Sequence, residues 1–144
     1  MNILLIHGPN LNMLGLRDPK IYGDMTQDML YETLANEYQT VEFTFYQSNY
    51  EGELIDVIHH AIDENYDGLI INPGGLTHTS ISLRDALDLI DIPKVEVHLS
   101  DLSKREAFRQ VDVIRDVCDA IFMGKHIESY YEAVEYLIEH VNNA

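Results

Sequence analysis

Two residues that could do chemistry, Arg17 and Tyr22, stand five positions apart in HGPNLNMLGLRDPKIYG (His7–Gly23). The two prolines and three glycines of that segment mark it as a loop. An ordinary phenol titrates near 10 and is a poor base at pH 7. A guanidinium beside it favours the phenolate, so the pair points to a general base; a tyrosine ring that packs the loop down is the plainer alternative. His98 ends the run KVEVHL, where imidazole can give or take a proton near neutral pH. Glu96, two residues earlier on the same face of a strand, can orient that ring, while a histidine satisfied by a backbone group is the competing reading. Asn10 and Asn72 follow two further apolar runs, and adjacency in a sheet is expected of them. Their amides donate and accept hydrogen bonds and can hold a polar substrate or a water without adding charge. Ser100 and the amide around Leu99 offer donors to a carboxylate, and Arg105 and Arg109 offer charge, in bidentate fashion. The set amounts to an acid–base kit with amide positioning groups.

Those residues need a frame, and the alternation of patterns along the chain provides one. NILLIH (2–7), VEFTFYQ (41–47), GLIIN (68–72), KVEVHL (94–99) and DAIFMG (119–124) carry strand signals. Between them, helical spacing runs through QDMLYETLANEY after the N-cap candidate Thr26, through GELIDVIHHAIDENY, and through SISLRDALDLI, which stops before Pro93. A short helical segment is expected around 104–109, and SYYEAVEYLIEHV closes the chain as an amphipathic helix. Strands alternating with helices imply right-handed crossovers and a parallel sheet covered on both faces. Five strands predict one α/β, flavodoxin-like doubly wound domain over residues 1–144, in the order 2-1-3-4-5. Such sheets bind ligands beyond the carboxyl ends of their strands, where HGPNLN, NPGGLTHTS and HLSDLSKREAFR would lie.

Several ligand classes find no foothold. GxxxxGK[ST], GxGxxG and GxSxG are absent, and the loop after the first strand lacks the hydroxyls of a flavin-phosphate site and the acids of a phosphoacceptor site. Cys118 precedes an apolar strand and reads as inert core. His59, His60, His126 and His140 have no CxxC or HExxH context, so no metal site is expected. A net charge of −16 argues against nucleic acid, which needs clustered Lys and Arg. No run is long enough to span a membrane and none resembles a signal peptide; with one cysteine the expected compartment is the cytoplasm. Arg17, Arg105 and Arg109 fall in loops on one expected edge, as a local anion site or as surface charge balance.

The segments GPNLNMLGLRDPKIYG, NPGGLTHTSISLRDAL, VEVHLS and REAFR, in this order, resemble type II 3-dehydroquinate dehydratases, small flavodoxin-like enzymes of the shikimate and quinate pathways. The likeness runs from residue 3 to about 110, with the length and last helix also similar. Beyond Arg109 the family's usual serines and Gly-rich GLG segment give way to QVDVIRDVCDAIFMGKHIESYY, and Asp101 stands where the family commonly has Asn. The resemblance implies Tyr22 as catalytic base and Arg17 as its cation, both on a mobile lid over about 10–24. It implies His98 as general acid with Glu96 as its partner, and Asn10 and Asn72 around an enolate and its water. His78, Leu99, Ser100 and Arg109 match substrate-binding positions, and Asp85 matches a carboxylate that reaches a neighbouring subunit's site in trimers that assemble into dodecamers. The reaction implied is dehydration of 3-dehydroquinate to 3-dehydroshikimate with no cofactor, and no lysine stands where a Schiff base would form: Lys20 is in the lid and Lys94 starts a strand. The competing class is a non-catalytic flavodoxin-like binding module, against which the complete acid–base set argues.

Overall fold

The apolar runs become five parallel strands: β1 (Asn2–His7), β2 (Glu42–Gln47), β3 (Gly68–Asn72), β4 (Lys94–His98) and β5 (Ala120–Met123). In this computed structural model, described for residues 1–143, they form one sheet in the order β2-β1-β3-β4-β5. Helices α1 (Pro19–Tyr22), α2 (Gln27–Glu37), α3 (Glu51–Ala61), α4 (Ile81–Leu89) and α5 (Ile127–Asn142) surround it. None of the described helices is long and apolar enough to cross a membrane.

Side chains on a strand alternate between the two faces of the sheet, and this chain fills both with apolar residues. Ile3, Leu5, Ile70, Val95 and Val97 pack with Leu30 and Leu34 of α2 and Tyr130, Val134 and Leu137 of α5. Leu4, Ile6, Leu69 and Ile71 point the other way, onto Leu54 and Ile58 of α3 and Leu83 and Leu87 of α4. Each such fully buried aliphatic side chain stabilises the fold by about 1.5–3 kcal/mol, and truncating one to Ala costs about 2–5 kcal/mol. Side-chain caps fix where helices start: Thr26 Oγ1 accepts from the Met29 amide at 3.1 Å, and Ser80 Oγ from the Leu83 amide at 2.9 Å.

Strand β4 is the exception to apolar filling. Its second face carries Lys94, Glu96 and His98, all buried. Lys94 Nζ donates to the Leu87 and Ile90 carbonyls at 2.9 and 2.7 Å, so its charge caps the end of α4. Glu96 and His98, further along the same stripe, reach the carboxyl edge of the sheet.

Two details differ from expectation. The segment 104–109 forms two 3-10 turns, Leu102–Lys104 and Ala107–Arg109, because Arg105 between them is extended at φ −98°, ψ −177°. Asn10 is not the sheet neighbour of Asn72: β1 ends at His7, and His7 pairs with Asn72 in the register. Asn10 lies beyond the strand in the left-handed region at φ 71°, a conformation asparagine tolerates better than most residues.

Candidate active site

Loops leaving β1, β3 and β4 meet at the carboxyl edge, where the strand order reverses. Between them is a cleft lined by residues of all three loops. The β1 loop folds locally before it reaches the cleft. Asp18 Oδ1 accepts from the Lys20 amide at 3.0 Å and Pro19 opens the single turn of α1, so Arg17 and Tyr22 flank that turn. Gly15 and Gly23, with φ of +96° and +80°, bracket the pair in conformations that favour glycine.

Arg17 Nη2 donates to Tyr22 Oη at 2.7 Å, with the guanidinium carbon 3.7 Å from the ring centroid. A second guanidinium arrives from across the cleft: Arg105 Nη2 donates to the same oxygen at 3.1 Å, and its Nη1 to Ser100 Oγ at 3.1 Å. Burial, together with the like charges of Arg109 and Arg105, pulls Arg17 below its ordinary value, and Tyr22 opposes that. The phenol oxygen thus accepts from two guanidinium groups, one from its own loop and one from across the cleft.

On the β4 side, His98 lines the cleft and turns Nε2 inward to a hydrogen bond with Glu96 Oε2 at 2.5 Å. Nδ1 is left as the ring nitrogen for the cleft. Burial pushes the imidazole down to about 4, with the nearby charge of Asp112 opposing. Glu96 has no solvent exposure, and its burial raises its carboxyl above the ordinary range.

Asn72, at the end of β3, is held from behind. Its Nδ2 donates to Tyr130 Oη at 3.0 Å, and its Oδ1 accepts from the Gly74 amide at 3.2 Å. Tyr130 in turn donates to His7 Nε2 at 2.8 Å, and His7 Nδ1 donates to Gln27 Oε1 at 2.7 Å. Burial pushes His7 down to about 4, so this chain, buried except at its Gln27 end, is neutral. His78 Nδ1 donates to the Val111 carbonyl at 2.7 Å, which leaves Nε2 for the cleft. Arg109 lines the cleft while its Nε donates to Glu106 at 2.5 Å.

Of the residues singled out in the sequence, Arg17, Tyr22, Asn72, His78, His98, Leu99, Ser100 and Arg109 line this one cleft, and Glu96 stands behind His98. Asn10 and Asp85 do not line it. Asn10 is exposed and its amide donates to Asn49 Oδ1 at 2.9 Å, whereas Asp85 is exposed on α4. Arg105 had been read only as a source of charge near a carboxylate, and its contact with Tyr22 was missed. The two residues are 83 positions apart, and no local pattern links them. His7 and Tyr130 were likewise not singled out, because an apolar strand and an amphipathic helix account for them without a polar contact.

The family model for dehydroquinase class II matches residues 1–138. A catabolic 3-dehydroquinase from Phaeosphaeria nodorum is 49% identical over 142 residues, 97% of this chain and 93% of that protein. A 3-dehydroquinate dehydratase from an Exiguobacterium species is 46% identical over 144 residues, 99% of this chain and 98% of that protein. The crystal structure of the type II dehydroquinase from Butyrivibrio crossotus superposes with a TM-score of 0.92 at 41% identity, covering 95% of this chain and 97% of that one. With a family match along nearly its whole length and close relatives of the same size and fold, the chain belongs to the class II dehydroquinases, a family of hydro-lyases.

Proposed function

We propose that this chain dehydrates 3-dehydroquinate to 3-dehydroshikimate through an enolate, with Tyr22 as base and His98 as general acid. The observation that carries this reading is the Tyr22 oxygen held by Arg17 and Arg105 at 2.7 and 3.1 Å, in a cleft that His98 lines from the other side. The proton to be removed lies next to a ketone, so its loss leaves negative charge on the carbonyl oxygen. Neutral donors, Asn72 with a water and Asn10 on the loop above, stabilise such an oxyanion without favouring the substrate's own charges. Loss of the hydroxyl then needs a proton from His98. His78, the Leu99 amide, Ser100 and Arg109 hold the substrate carboxylate and hydroxyls, and Arg109 suits a carboxylate by its forked geometry.

The domain spans 1–144, and its segment 10–24 is a lid that brings the base to the substrate, hinged at Gly15 and Gly23. Asp85, exposed on α4, completes a neighbouring subunit's site in trimers that build a dodecamer, in the cytoplasm. Lys94 is tied to helix carbonyls and Lys20 is on the lid, so the route does not pass through an imine.

The test is a spectrophotometric assay for the conjugated enone of dehydroshikimate, with purified protein and dehydroquinate. Growth of absorbance is expected, with no loss of activity when borohydride is added in the presence of substrate. No growth would favour a binding module, and substrate trapped on a lysine would overturn the enolate. Light scattering is expected to find a multiple of three subunits; a fully active monomer or dimer would refute the assembly.

A further inference from the structure

Behind His98 lies a feature that the acid–base reading does not use. Glu96 Oε1 and Asp112 Oδ2 are both buried, and neither has a hydrogen-bond donor. Their outer oxygens are satisfied: Glu96 Oε2 is hydrogen-bonded to His98 Nε2, and Asp112 Oδ1 accepts from the Ile114 and Arg115 amides at 2.8 and 3.0 Å. Polar atoms of Glu96, His98 and Asp112 all lie within 4.8 Å of one another. Two buried carboxylates that face each other with no donor between them are unfavourable twice over, by like-charge repulsion and by lost hydrogen bonding. One proton removes both penalties, because it makes one oxygen the donor and the other the acceptor.

We propose that Asp112 shares one proton with Glu96 and that this pair is a proton store for His98. The proposal rests on the reading of His98 as general acid. The store also supplies a proton that the ring holds poorly by itself, since burial disfavours an imidazolium at His98. With the shared proton on Asp112 Oδ2 donating to Glu96 Oε1, and a second proton on Glu96 Oε2 that burial favours, His98 can stay neutral with its own proton on Nδ1 and accept from Glu96 Oε2–H at Nε2. In the acid step the Nδ1–H bond breaks and an O–H bond forms on the departing hydroxyl, which leaves as water. The Nε2–H bond forms as the Glu96 O–H bond breaks, and the Asp112 proton can follow onto Glu96. The imidazole is neutral before and after, and the negative charge passes to the carboxylate pair. Asp112 touches no substrate, so it is a positioning residue that acts through Glu96 and His98.

Its surroundings agree. Burial, then the hydrogen bond and charge of Glu96, push Asp112 up to about 7. Arg115 faces Glu96 with an opposing charge, Cys118 is held as a neutral thiol by burial, and Lys94 and Asp119 act on that thiol from the opposite end of β4. A metal ion is the other use of three such groups. The 2.5 Å contact between Glu96 Oε2 and His98 Nε2 is too close for two ligands of one ion at about 2 Å each, so the shared proton is favoured.

Three measurements test this. Infrared spectra of wild-type protein carrying ¹³C-labelled aspartate and glutamate should show a protonated carboxyl C=O band at pH 6 that fades as pH rises through about 7. No such band would overturn the proposal, and this result needs no variant and no activity. Asp112→Asn keeps an amide donor toward Glu96 but has no acidic proton. It should lose the band and lower kcat about 10-fold or more, less than the roughly 10²–10⁴-fold of a group that exchanges the proton with substrate directly, with KM nearly unchanged. It should also lose the fall in kcat on the alkaline side. A variant with wild-type kcat and pH profile would overturn the store, as would activity that chelator abolishes and a divalent ion restores. A wild-type protein inert on dehydroquinate would sink the function instead, while the band would still decide whether the proton is shared.

Discussion

The two sides of the cleft solve opposite electrostatic problems in opposite settings. One side, Arg17 with the proposed base Tyr22, sits on a partly exposed loop, and the phenol oxygen accepts from two guanidinium groups. The other side, Glu96 with the proposed acid His98, sits in a strand buried on both faces, and the imidazole is backed by carboxyl groups. The neighbours are of opposite sign: cations face the phenol, and carboxyl groups stand behind the imidazole. The difference in burial also matters. Loop residues can arrive with substrate, whereas a strand residue is fixed before substrate comes, because moving it would break the core.

This contrast can be broken most severely at the base. Tyr22→Phe removes one oxygen and keeps the ring, and kcat should fall by about 10³-fold or more with binding retained, within the range for proton-transfer groups and a deleted nucleophilic oxygen. Steady-state kinetics decide it: retention of a tenth of wild-type kcat would mean that the ring only packs the loop. The acid should come next. His98→Ala should cost kcat about 10²-fold, while His59→Ala, on the exposed face of α3, should leave it unchanged. An equal loss in both variants would misplace the acid.

Removing a cation should cost less than removing the base. Arg17→Ala should lower kcat about 10–100-fold at neutral pH, since the second guanidinium of Arg105 remains, and part of the rate should return as pH rises and ionises the phenol. Combined with Tyr22→Phe it should add almost nothing, because both act on one oxygen. Full additivity in that double variant would show that Arg17 works elsewhere.

The smallest effect concerns the neutral network behind Asn72. His7 has a folded value of about 4 against 6.5 for an unperturbed histidine, because it is buried. Its contribution to stability is therefore fully present above pH 6.5 and is lost as pH falls toward about 4, where the unfolded chain takes a proton that the folded one resists. Urea unfolding of His7→Gln, which can still accept from Tyr130, should show a shallower loss of stability across that window than wild type. His98 gives the same sign of slope in both proteins, so the difference between them isolates His7. Parallel curves would mean that His7 is charged in the folded state.

The sheet was legible because its signal is local and repeated. Runs such as NILLIH and GLIIN exceed what one wet face would allow, and the helices between them leave only a parallel, doubly covered arrangement. Boundaries shifted by a residue or two for β2 and α5, and α3, read through Tyr66, stops at Ala61, because end residues are decided by hydrogen bonding rather than by pattern. The site was legible where the chemistry is close in sequence. Arg17 with Tyr22 and Glu96 with His98 could be paired by spacing alone, whereas Arg105 with Tyr22, Asn72 with Tyr130, and Glu96 with Asp112 could not.

What the sequence by itself determined, then, is the order of elements, the edge of the sheet where polar loops gather, and the two short-range pairs placed there. Loop closure by proline, glycine and an Asp cap, and the two-residue period of a strand, act over a few bonds and are written in adjacent residues. Only the tertiary structure decided that Arg105 turns back to the phenol, that His7 rather than Asn10 stands beside Asn72, and that Asp112 meets Glu96 in the interior. Those contacts join segments brought together by burial, and burial also sets their charge states, since a carboxyl or imidazole changes its proton affinity when water is removed from around it.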